Sequence, residues 1–156
     1  MPPGPTGASG CHCANTFIQL DEIATSELAS TTVLNGSGAN PRILEELFPP
    51  RIGQLWAVRV NIPNPCPVRC SGNPNFTILF LSAGILAAPV PSRFGEVLID
   101  PAQRIFAPLL GEGAYFRSLP ADVALVGTLL YAQAATLPPA SSALKLTNPL
   151  RLRVGY

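Results

Sequence analysis

The sequence predicts an all-β protein: an antiparallel β-sandwich of jelly-roll type, about 8–9 short strands with an extended N-terminal segment. Three observations point there. Eighteen prolines and thirteen glycines in 156 residues leave little room for helix, since each interior proline costs a helix about 3 kcal/mol. Gln54 to Ile62 alternates, with Trp56, Val58, Val60 and Ile62 on one face, as a half-buried strand does. The closing stretch repeats the alternation: Leu144 and Leu146 are followed by a turn at Thr147-Asn148-Pro149, then by Leu150, Leu152 and Val154.

The chain divides into a Pro/Gly-rich leader, 1–13, an N-terminal extension, 14–50, and a sandwich domain, 51–156. Gly4, Gly7 and Gly10 with intervening prolines read as a flexible leader, or as the end of a collagen-like stalk too short to hold a triple helix alone. In the extension, Thr16 to Leu20 and Thr31 to Leu34 favour strands because β-branched and aromatic side chains suit a pleated surface. Asp21 to Ala29 and Ile43 to Phe48 read as short helical pieces. Beyond Arg51, strands are expected at Gln54–Ile62, Phe76–Ser82, Ile85–Ala88, Phe94–Ile99, Ile105–Ala107, Ala114–Leu119, Ala124–Ala134, Ala143–Leu146 and Leu150–Val154. Ala83-Gly84 makes the turn between two of them, and Asp100 and Asp122 read as turn residues that bond their own backbone.

Composition narrows the function. The apolar share is 47%, the charged share 12% and the formal net charge +1, so charge repulsion does little to keep copies apart. Basic residues are scattered, and Lys145 is the single lysine; nucleic acid and anionic membrane surfaces both call for a basic patch. The longest uncharged run, Cys70 to Ser92, is broken by Pro74, Pro89 and Pro91, and its apolar part falls short of the roughly 20 residues that span a bilayer. No membrane span is expected. No secretion signal is visible at the N-terminus, although low lysine content and the Pro and Thr usage fit an extracellular or cell-surface protein.

The segments PRIGQLW from Pro50, FGEVLIDP from Phe94, LPADVALVGTLLYAQAA from Leu119 and LTNPLRLRVG from Leu146 resemble C-terminal β-sandwich domains of uncharacterised secreted proteins of environmental bacteria. The resemblance covers roughly the last two thirds of the chain. It implies an extracellular or surface setting and carries over no catalytic residues. In organisation the chain is also similar to small β-domain subunits of extracellular bacterial filaments, an analogy at fold level.

Four cysteines are the strongest local chemistry: Cys11 and Cys13 around His12, and Cys66 with Cys70. They read as disulfide cysteines. Cys66 and Cys70 either close locally across a Pro-containing turn or bridge to Cys11 and Cys13, within one chain or between protomers. The alternative is a tetrahedral zinc site drawn from Cys11, His12, Cys13, Cys66 and Cys70, against which stands the tight Cys-x-Cys spacing. His12, the sole histidine, lies in the leader and lacks the preorganisation of a catalytic base. Asp21-Glu22 and Glu45-Glu46 are adjacent pairs whose carboxylates point apart. No catalytic residue and no cofactor is therefore expected. Asn35 and Asn75 begin N-glycosylation triplets, and Thr25 to Thr32 is a Ser/Thr-rich piece suited to O-linked sugar.

These readings converge on a non-enzymatic structural subunit that self-assembles into an extracellular filament. The N-terminal extension links protomers head to tail by donating a strand to a neighbour's open edge. Thr16, Phe17, Ile18, Gln19 and Leu20 form the preferred donor, with Thr31 to Leu34 second; otherwise both segments complete their own chain's sheet. The alternative function is a surface module that recognises a glycan or a protein through sandwich loops, with Tyr115, Phe116 and Tyr156 as candidate contacts and Phe116 expected to pack inward.

Overall fold

The computed structural model describes residues 27–61, 76–105, 108–111, 113–137 and 143–156. They are mostly antiparallel β, arranged in several sheets, none of them closed. The largest sheet runs in the order β1 (Ser30–Val33), β11 (Leu150–Arg153), β9 (Leu129–Leu137), β4 (Phe76–Ser82), β7 (Leu109–Gly111), with β10 (Lys145–Leu146) also pairing with β9. A three-stranded sheet follows the order β2 (Leu44–Phe48), β3 (Leu55–Val60), β8 (Ala114–Ser118), and β5 (Ile85–Ser92) with β6 (Gly95–Ile99) forms a separate hairpin.

The inward residues of the two larger sheets make one core. Trp56, Val58 and Val60 of β3, Leu44 of β2 and Tyr115 of β8 meet Leu79 and Leu81 of β4, Ala132 and Ala134 of β9, and Leu150 and Leu152 of β11. Alternation is the cause: in β11 the leucines are buried while Arg151 is exposed, and each fully buried leucine contributes roughly 2–3 kcal/mol. Alanines on β9 let the central strand lie close to the facing sheet. The core thus requires small residues in the middle and large ones around them.

The hairpin β5–β6 is fixed by side-chain amides. Asn40 donates to Glu96 O at 2.7 Å and accepts from Glu96 N–H at 2.8 Å. Gln133 donates to Glu96 O at 2.8 Å and accepts from Leu98 N–H at 3.1 Å. Both amides also donate to Thr147 O, each at 3.0 Å. Two buried side chains therefore substitute for a missing ladder and satisfy main-chain groups that would otherwise be stranded.

Several elements depart from the expectations. Ile43 to Phe48 is not helical: Leu44–Phe48 is β2, paired antiparallel with β3, because Leu44 is drawn into the core and tertiary pairing overrides the helix preference of Leu-Glu-Glu-Leu. The strand expected at Ala124–Ala134 begins only at Leu129; before it Val123–Leu125 is a 3₁₀ turn capped by Asp122, which accepts from Ala124 N–H at 2.9 Å. Asp100 caps a similar turn through Ala102 N–H at 2.9 Å, so both aspartates bond their own backbone. In β8 the aromatic phase is reversed: Tyr115 is buried and Phe116 is exposed. Beta-branched Thr31 and its neighbours pair in register with β11, Thr31 opposite Leu152, and so complete their own chain's sheet. The proposed donor Thr16–Leu20, the cysteines Cys11, Cys13, Cys66 and Cys70, His12, and Asn75 all lie outside the described residues.

Candidate functional site

The three-stranded sheet ends at β8, with which no further strand pairs among the described residues. Two main-chain bonds set its phase: Leu119 N–H donates to Gln54 O at 2.9 Å and Val60 N–H to Gly113 O at 2.6 Å. Residues 113, 115, 117 and 119 therefore turn their backbone toward β3, and alternation turns that of Ala114, Phe116 and Ser118 outward. β8 thus offers a row of outward main-chain donors and acceptors.

Beside the last residues of β8, the space between the two larger sheets opens into a groove of about 540 Å³. Leu81, Leu130 and Leu152 line it from the larger sheet; Pro50, Leu55, Trp56, Phe116 and Leu119 are among the residues that line it from the other side. A three-stranded layer cannot cover a six-stranded one, which is why core leucines reach this opening. Trp56 adds a polar feature: it is buried, and its indole Nε1 has no hydrogen-bond partner among the described residues. An unmet buried donor of this kind costs roughly 1–3 kcal/mol.

The described start of the chain lies at one corner of this groove. Glu27 O accepts from Tyr156 N–H at 3.0 Å, and Gly155 N–H donates to Pro50 O at 3.1 Å. A Cβ on Gly155 would overlap the backbone of Glu27, Leu28 and Ala29, so glycine is required for this close crossing. Glu27, Gly155 and Pro50 are consequently stacked at the groove's edge.

Of the expected contact residues, Tyr115 and Phe116 are neighbours with opposite fates and Tyr156 lies at the Glu27 corner, so the three do not gather. Tyr115 is held in the core with its hydroxyl bonded to Thr77 Oγ1, and burial pushes its phenol above the ordinary value. Phe116 is exposed at the edge strand, on the face opposite Tyr115, and also borders the groove. Asn35 is exposed, at a turn in which Gly38 N–H donates to Asn35 O at 2.7 Å, and Ser37 Oγ donates to Glu96. Two carboxylates differ sharply. Desolvation pushes Glu46 above the ordinary value, while the hydrogen bond from Asn61, with Arg59 beside it, holds Glu45 below. Thr31 Oγ1 donates to Glu46 and ties β1 to β2.

Among the described residues no group of three or more His, Cys, Asp or Glu could hold a metal ion, and no helix is long and apolar enough to cross a membrane. The residues that sequence reasoning missed are those of the groove and its edge. Alternation puts Trp56 on the inward face of its strand, but its place at an opening depends on how many strands face each other, which alternation within one strand does not encode. Compared with known proteins, the chain matches no family model, no curated protein and no solved structure.

Proposed function

We propose that this chain is a structural subunit of an extracellular filament, a jelly-roll-like β-sandwich that assembles head to tail by strand donation. The N-terminal segment Thr16–Leu20 of one copy pairs with the outward edge of β8 in the next. The observation that carries this reading is an edge of β8 with which no strand pairs among the described residues, beside an apolar groove lined in part by Trp56. An added strand supplies what that site lacks: main-chain partners for the edge, apolar side chains for the groove and carbonyl acceptors within reach of a buried donor.

Length and pattern agree. β8 has five residues, and so does Thr16–Leu20, whose alternation sends Ile18 and Leu20 to one face and Phe17 and Gln19 to the other. Repetition of one such heterologous contact gives an open array when its rotation does not close. The extracellular setting is supported by the low charge and lysine content.

Deleting residues 1–26 removes the donor and leaves every residue of β1 to β11 in place. Electron microscopy and sedimentation of the full chain and the shortened one, with thermal melts of both, test the proposal. Long assemblies are expected to disappear while the melting transition persists; self-association that survives the deletion unchanged rules strand donation out.

A further inference from the structure

We propose that the outer face of the β2-β3-β8 sheet is a binding shelf for an extended, neutral, β-linked polysaccharide. Strand donation is not required for it. Register places Phe48 opposite Ala57 and Ala57 opposite Phe116, so the three residues share one face in a row across three strands. That face points away from the core, because Trp56, Val58 and Val60 alternate with Ala57 and belong to the core cluster. Phe48 is 49% exposed and Phe116 56%, whereas Ala57 between them is fully buried. The two half-exposed rings flank the buried alanine across the sheet, and Leu55, at 45% exposure, follows one register step along the same face. Scattered apolar side chains are ordinary on a surface, but an ordered row of them marks a place where something is bound.

The neighbouring row indicates what. Glu45 pairs in register with Arg59, and Arg59 Nε donates to Glu45 Oε2 at 3.1 Å while Asn61 Nδ2 donates to Glu45 Oε1 at 3.0 Å. This linked set lies about 7 Å along the strands from the aromatic row. It offers both donors and acceptors, and its two charges cancel. An occupant that suits the whole face has a flat apolar side bordered by uncharged hydroxyls, which describes a pyranose ring seen on its C–H face. Spacing adds a constraint on linkage. Phe48 and Phe116 stand two strands apart, about 10 Å, the length of one disaccharide unit in an extended β-linked chain, so two sugars of like orientation meet two rings. A curled α-linked chain does not keep that repeat.

Titration calorimetry of the full chain with cellohexaose, and with maltohexaose as the α-linked counterpart, tests the shelf. Cellohexaose is expected to bind and maltohexaose not. Phe48→Ala combined with Phe116→Ala is expected to weaken binding by roughly tenfold or more, with an unchanged thermal melt, while Phe116→Tyr retains it. The proposal is overturned by the absence of cellohexaose binding at millimolar concentration, by equal binding of the double variant, or by a double variant that alters self-association alone, which would make the row a contact between copies. Should the double variant fail to fold, Arg59→Ala, an exposed change, is read instead, and unaltered cellohexaose affinity in that variant counts against the proposal.

Discussion

Asn148 grips Leu44 by both of its main-chain groups: Leu44 N–H donates to Asn148 Oδ1 at 2.9 Å, and Asn148 Nδ2 donates to Leu44 O at 3.1 Å. Leu44 opens β2 and Asn148 lies in the turn between β10 and β11, far apart in sequence, and both are buried. The amide completes the ladder where β2 pairs with no strand on that side among the described residues, and Asn148 N–H is itself bonded to Pro41 O at 3.0 Å.

Asn148→Ala leaves both Leu44 groups unmet in the core and is expected to lower unfolding stability by roughly 2–4 kcal/mol, read from urea denaturation. Asn148→Asp keeps the acceptor but buries a charge beside a carbonyl, so a larger loss is expected. Equal stability of all three proteins would show that the clamp contributes nothing.

Gln133→Leu preserves side-chain bulk while removing the bonds to Glu96 O, Leu98 N–H and Thr147 O. Because Asn40 still holds Glu96, the hairpin loosens and the core remains. Amide hydrogen exchange in β6 is expected to accelerate about tenfold or more relative to β9. Uniform acceleration across all strands would mean that the hairpin has no independent opening.

Glu46 carries a pH signature. Desolvation raises its carboxyl above the reference value of 4.5, so the folded chain keeps a proton that the unfolded chain has already released. Its contribution is full below the unfolded value and is lost as pH rises through the folded one. Glu46→Gln stays neutral and retains an acceptor for Thr31; its urea midpoint is expected to change less than the wild type's over that interval. An identical pH slope in the variant would exclude Glu46 as the source.

Gly155→Ala places a methyl group where the backbone of residues 27–29 crosses. Backbone cannot yield as a side chain does, and a loss of roughly 1–3 kcal/mol is expected, together with faster proteolysis near Glu27. A stable, protease-resistant alanine variant would contradict the close crossing.

Ser118→Pro removes an outward N–H from β8 and leaves the bonds to β3, which use odd-numbered residues. Assembly is expected to fall sharply with the fold retained. The single tryptophan is Trp56, at the groove, so its emission is expected to shift with protein concentration in the wild type and to stay constant in the proline variant. Filaments of normal length in that variant would place the contact elsewhere.

Much of this architecture was legible where one face of a strand is wet. Trp56, Val58 and Val60 announce β3, and Leu150 and Leu152 announce β11, because polar neighbours mark the phase. Legibility fails where that contrast disappears. β9 is buried over most of its length, so the apolar run from Val123 to Leu137 shows no alternation, and Gly127, which takes a positive φ between the 3₁₀ turn and the strand, is its one sign of a break. Tyr115 and Phe116 are adjacent aromatics whose phase is fixed by the pairing of Val58 with Tyr115. Gln133 did carry a signal, as one amide in an apolar run; its partner Asn40 sits in a loop and had none. The groove reflects a mismatch in strand number between sheets, a property of no single segment.

Pro91 lies opposite Glu96 on β5, the outer strand of its hairpin, and Pro89 removes a second donor from the same strand. Nearly all of β5 is exposed, and it carries no charge. In a chain with so few charges, indiscriminate clumping through such an edge is the chief hazard, and proline acts there as a gatekeeper. The valence of each copy is thereby limited by covalent chemistry: an edge that lacks two of its donors is a poor template for a neighbour, whereas β8 keeps its own. Replacing both prolines would be expected to turn ordered growth into branching precipitation.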